Sequence, residues 1–136
     1  MSLSESKLEV TELTLHLNQE EVTALFNEWN HALQTGDPKK IVALYESNAV
    51  LLPTASSKVR HNHEEIEDYF VYFMAKQPTG IIDESNIRIF SQMVINSGLY
   101  TFAFKDKSVV QARFTFVYRW NGVRWMIIEH HSSPIP

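Results

Sequence analysis

Residues 110–136 read VQARFTFVYRWNGVRWMIIEHHSSPIP. Two β-rich runs, 110–120 and 123–131, flank Asn121-Gly122, a dipeptide that supplies the two positive-φ residues of a type I′ turn. A two-residue turn fixes the register. It sets Trp120 opposite Val123, Tyr118 opposite Trp125, Phe116 opposite Ile127, Phe114 opposite Glu129 and Ala112 opposite His131 on one face. The other face then carries Arg113 beside His130, Thr115 beside Ile128, Val117 beside Met126 and Arg119 beside Arg124. Both faces are largely apolar, which predicts a central hairpin covered on each side. His130 and His131 are adjacent, so they point to opposite faces of a strand and do not ligate one metal together.

Upstream of the hairpin the periodicity is first helical and then β. Residues 1–17 form a polar lead-in, read as an N-terminal arm, in which Leu13, Leu15 and Leu17 alternate with polar residues. Asn18 and Glu21 have capping-box spacing, and Val22, Leu25, Phe26, Trp29 and Leu33 recur at helical intervals, predicting a helix over 19–34. Gly36 ends it. Asp37-Pro38 opens a second helix with Ile41, Val42, Leu44 and Tyr45 on its inner face. A short strand over 49–52 leads through Pro53 to a polar loop, and Asn62 and Glu65 cap a third helix whose apolar face is Ile66, Tyr69, Phe70, Phe73 and Met74. After Gly80 come β-rich segments at 87–89, at 93–96 and 99–104 on either side of Ser97-Gly98, and a turn at Asp106-Lys107 before the hairpin. The expected class is α+β: three helices packed on a strongly bent antiparallel sheet, in one domain over 18–136.

Composition narrows function by exclusion. At 136 residues, 44% hydrophobic and 21% charged, the chain has the make-up of one globular domain. A net charge of -4 and the lack of a basic run argue against a nucleic-acid partner. Without cysteine there is no disulfide, thiolate metal site or cysteine nucleophile. No apolar run reaches the length of a membrane span, and the expected location is cytoplasmic. His61 and His63 could meet a metal only if extended, whereas Asn62 starts a helix there, so no metal and no cofactor are expected.

The order of elements resembles the nuclear-transport-factor-2-like (SnoaL-like, ketosteroid-isomerase-like) cone fold. The likeness is greatest to the branch holding the association domain of calcium/calmodulin-dependent protein kinase II and the SgcJ/EcaC proteins. It is carried by ALQTGD at 32–37, Val59-Arg60, IEDYFVYF at 66–73, RFTFVY at 113–118 and the ending W-x-I-I-x-H-H-S-S-x-x-P at 125–136. The fold hosts isomerases, cyclases, dehydratases, carriers and assembly modules, so the resemblance implies architecture more than activity. Arginines inside the cone, a family trait, would match Arg60, Arg113 and Arg88, with Glu129 standing where many relatives have histidine. The kinase glycine-rich and catalytic-loop motifs are absent from these residues, so the resemblance implies domain ancestry and not phosphoryl transfer.

Candidate chemistry gathers at the end of the hairpin. His131 and His130 could serve as acid–base or donor groups, or as hydrogen-bonded sheet histidines. Glu129, facing Phe114, would be a general base or would pair with a buried arginine. Arg60, Arg88 and Arg113 are candidates to hold a carboxylate ligand, with His131 as a further donor. The pocket wall is read as Trp29, Tyr69, Phe73, Phe114, Phe116 and Trp125, and one or two tyrosine hydroxyls are expected to reach the cavity. An aspartate base facing a tyrosine and a second acid, as ketosteroid isomerisation needs, cannot be placed. Two functions remain open: a pocket for a small polar or acidic molecule, catalytic or not, and an oligomerisation module. The outer face of Thr115, Val117, Met126 and Ile128 predicts a homodimer through the sheet, and the resemblance allows a larger ring.

Overall fold

The computed structural model describes residues 17–136. Most of the expected N-terminal arm, residues 1–16, lies outside them; Leu17 is buried against the core. Helix α1 (Gln19–Gln34) starts at Asn18, whose side chain accepts from Glu21 N at 2.8 Å in a reciprocal capping box. It buries Val22, Phe26, Trp29 and Leu33, the predicted stripe. Gly36, at φ +75°, turns the chain into α2 (Pro38–Val42), capped by Asp37. That helix is one turn shorter than its apolar pattern suggests. Tyr45, expected on its inner face, instead begins strand β1 (Tyr45–Leu52). Helix α3 (His63–Met74) follows with the predicted apolar face.

Strands β2 (Thr79–Ile89), β3 (Met93–Ala103), β4 (Val109–Trp120) and β5 (Trp125–Pro134) complete a five-stranded sheet of order β1-β5-β4-β3-β2. Four strands are antiparallel, and β1 joins β5 in parallel at one edge, where an all-antiparallel sheet was expected. Strand β3 runs unbroken through Ser97-Gly98. Gly98 is no turn residue: a Cβ there would stand 2.0 Å from Glu84 O on β2, so the strands approach where only glycine fits.

The hairpin register differs from the expected one in two steps. The connection is a four-residue loop, in which Asn121 Oδ1 accepts from Val123 N and Arg124 N, and only Gly122 of the dipeptide has positive φ. Trp120 therefore pairs with Trp125 and Tyr118 with Ile127. A β-bulge at Ile128 then adds one residue to β5, so that Val117 pairs with Glu129, Phe116 with His130 and Thr115 with His131. Because side chains alternate, the extra residue reverses the facing of everything beyond it. Glu129 and His131 go out to solvent and His130 goes in. The bulge keeps a carboxylate out of the aromatic interior, where burying it unpaired would be costly.

Trp29 is the hub of that interior, packing against Phe26, Phe70, Phe102 and Phe116 with ring centroids 5.5–6.3 Å apart. Helices α1 and α3 thus cover one face of the sheet. Its opposite face carries Thr115, Val117, Met126 and Ile128, all half-buried.

Candidate functional site

Between α1, α3 and the concave face of the sheet lies a cavity of about 270 Å³. Its deep wall is aromatic, formed by Trp29, Phe70, Tyr100 and Phe102, and its mouth is formed by the exposed residues Ala55, Lys76 and Val110. Lys76 Nζ sits 4.8 Å from the Tyr72 ring centroid and 5.8 Å from that of Phe104, which holds the ammonium at the rim by cation–π attraction.

Polar side chains enter this apolar space as one connected line. Trp29 Nε1–H donates to the Tyr45 hydroxyl at 3.0 Å, and that hydroxyl lies 2.8 Å from His130 Nδ1. On the other side of the imidazole, Nε2 lies 3.2 Å from the Tyr100 hydroxyl, which donates to Ser132 Oγ at 2.6 Å. Ser132 Oγ is also 2.6 Å from Thr54 Oγ1. Tyr100, His130, Ser132 and Thr54 all line the cavity. Strand β5 places His130 and Ser132 together because they are two residues apart beyond the bulge. The ring of Phe116 stacks on His130 with centroids 4.0 Å apart, and Trp29 meets it edge-on at 5.6 Å.

This burial sets the proton affinities. His130 is held down to about 3, chiefly by loss of solvent and secondarily by the neighbouring His131. Loss of solvent also raises Tyr45 and Tyr100 well above the ordinary phenol value, and pushes Tyr69 up to about 12. At neutral pH the line is therefore uncharged throughout. It can orient hydrogen bonds, but it offers no group poised to exchange a proton near pH 7.

The residues expected to act converge only in part. Trp29, Tyr69, Phe73 and His130 line the cavity. Phe114, Phe116 and Trp125 are buried in the core beside it, and the Trp125 ring packs on Trp120 at 5.6 Å. Glu129 and His131 lie on the opposite face, displaced by the bulge, so neither reaches the cavity. None of the three arginines reaches the cavity. Arg88 and Arg113 are exposed on the outer face. Arg60 is buried behind the wall, where it bonds Asp68 Oδ2 at 2.8 Å and the Glu65 carbonyl at 3.1 Å. Its guanidinium lies 5.7 Å from the Tyr69 ring centroid, so Arg60 braces the wall from outside.

Ser132, Thr54 and Lys76 were not singled out by the sequence as site residues, whereas Tyr100 is among the tyrosines of which one or two were expected to reach the cavity. Ser132 could have been found as the residue two beyond a buried histidine, had the bulge been known. Among the described residues no cluster suits a metal ion, and no helix is long and apolar enough to cross a membrane.

Three helices clasping a curved five-stranded sheet around a blind aromatic cavity define a nuclear-transport-factor-2-like, cystatin-like domain. Solved structures of that class agree: an NTF2-like protein from Pseudomonas putida superposes with a TM-score of 0.74 at 18% identity, over 85% of this chain and 84% of that one. A protein from Parabacteroides distasonis described as a ketosteroid isomerase does so with a TM-score of 0.73 at 19% identity, over 90% and 92%. The family model for the calcium/calmodulin dependent protein kinase II association domain matches residues 18–136, and the chain belongs to that family. A Xanthomonas campestris structure described as such an association domain is 44% identical over 89% of this chain and 90% of that one, with a TM-score of 0.84. No curated protein matches the chain.

Proposed function

We propose that this chain is a self-associating domain whose cone cavity binds a small organic molecule. The observation that carries the reading is the cavity itself, an aromatic wall interrupted by a short run of hydroxyls, with an ammonium at the mouth. Such a space favours a mainly apolar body with one or two polar groups, less polar than an arginine-lined cone would select. Its volume equals that of about nine waters at liquid density, which suits a single substituted ring. Saturable binding of ring-sized compounds should appear in ligand-observed NMR. Val110→Trp, which puts an indole across the mouth, should weaken that binding at least tenfold with the fold intact. If no ring-sized compound binds, or if the variant binds as well as the parent, the cavity is not the site.

Self-association is the second part of the reading and rests on a different observation. The sheet face away from the helices presents Ile95, Val117, Met126 and Ile128 side by side, each half-buried within the single chain. A twofold contact between two such faces would cover them.

A further inference from the structure

We infer that the hydrogen-bond line beneath the cavity has one fixed direction and ends in a hydroxyl hydrogen offered to the ligand, so that the cavity selects small aromatic molecules bearing an acceptor oxygen, carboxylates above all. The inference rests on the cavity-binding reading above and adds the ligand's chemical class and the residues that set it.

The direction follows from counting hydrogens. Trp29 Nε1 can only donate, so Tyr45 accepts from it. The Tyr45 hydroxyl is fully buried, and its one hydrogen must find an acceptor; His130 Nδ1, at 2.8 Å, is the partner available. Nδ1 is therefore bare. Neutral imidazole then carries its hydrogen on Nε2, which donates to the Tyr100 oxygen. Tyr100 in turn passes its hydrogen to Ser132 Oγ. Ser132 and Thr54 now have two hydroxyl hydrogens between them, and their mutual bond uses one. Whichever of them donates in that bond, the other hydrogen has no protein acceptor among the described residues, and both hydroxyls line the cavity.

Two further polar groups stand on the lining: the Lys76 ammonium, a donor only, and Tyr69, whose hydroxyl can donate or accept. Among the described residues no carboxylate lines the cavity. A ligand ammonium would find only neutral hydroxyl oxygens as acceptors and would be repelled by Lys76, whereas a carboxylate oxygen can take the free hydroxyl hydrogen while its charge is favoured by Lys76. The aromatic part of the ligand occupies the space between Phe70 and Phe102.

Benzoate, toluene and benzylamine share one ring and differ in the polar group. Calorimetric or NMR titration of the full chain should rank benzoate above toluene and toluene above benzylamine. Ser132→Ala/Thr54→Val, which removes both hydroxyls of the pair, should weaken benzoate by about tenfold and leave toluene within twofold, whereas either single change leaves one free hydroxyl hydrogen. Equal binding of benzoate and toluene, or unchanged benzoate binding in the double variant, would overturn the inference while leaving the cavity as a binding site. Binding of none of the three would remove both readings. A ligand-free measurement tests the direction separately. Long-range ¹H–¹⁵N correlation of the His130 ring should show Nε2 protonated and Nδ1 bare, and a proton on Nδ1 would reverse the line and refute the inference.

Discussion

His130 is a residue whose environment turns an ordinary titratable group into a fixed dipole. Unfolded, its imidazole takes a proton near the usual 6.5; folded, it resists until about 3 because of burial. As pH falls below 6.5 the unfolded chain binds a proton that the folded chain refuses, so stability declines with acidity until the folded value is passed. Glu65 and Asp106, both held below the ordinary carboxylate range by local hydrogen bonds, add losses of the same sign only at lower pH. Between pH 6.5 and 5, urea unfolding should therefore show a slope in which His130 contributes up to about 1.4 kcal/mol per pH unit. His130→Gln should lack that part of the slope. If parent and variant have parallel profiles, the imidazole is not protected from protons. At this scale the sequence was half legible. Adjacent histidines were bound to face opposite ways, but which one faced inward depended on a single inserted residue that no local pattern announces.

At the scale of elements, what was legible was whatever depends on short-range chemistry. The capping residues Asn18, Asp37 and Asn62, the stripes of α1 and α3, and the inward set Ala112, Phe114, Phe116, Tyr118 on β4 all follow from caps and period. What failed were features decided by the partner strand. Asn121-Gly122 has the composition of a tight turn, yet Trp120 and Trp125 pack together at 5.6 Å and the loop widens to four residues. Gly98 likewise has the composition of a turn residue but serves close contact with β2. Gly98→Ala would force a Cβ to within 2.0 Å of the Glu84 carbonyl oxygen, a backbone atom that cannot rotate away. Separating β2 from β3 there should cost about 1–3 kcal/mol, read from the urea midpoint. A loss under about 0.5 kcal/mol, the range of an indifferent surface change, would mean the strands have room to spare.

The whole molecule poses the question of what covers the side of the sheet away from the helices. Helices α1 and α3 satisfy the concave face, leaving Ile95, Val117, Met126 and Ile128 in a patch on the other. Charges that would repel across a twofold axis are fewer there than the sequence suggested. Arg119 is matched within the chain by Glu46 at 2.6 Å and Arg124 by Glu28 at 2.6 Å. His130, also expected on this face, is inside. The bulge moves Glu129 and His131 onto it, in register with Val117 and Thr115 and near Arg113, so the patch carries charges of both signs beside its apolar centre. In a twofold contact a carboxylate from one copy can meet an arginine from the other, which makes self-pairing of this face electrostatically favourable. Sedimentation at micromolar concentration should accordingly find a dimer. Val117→Asp places an unpaired charge at the centre of the patch, beside Glu129, and should yield a folded monomer. Val123→Asp, at an exposed loop position, should leave the dimer intact. A parent that sediments as a monomer, or a Val117→Asp protein that remains dimeric, would show that this face is not the contact.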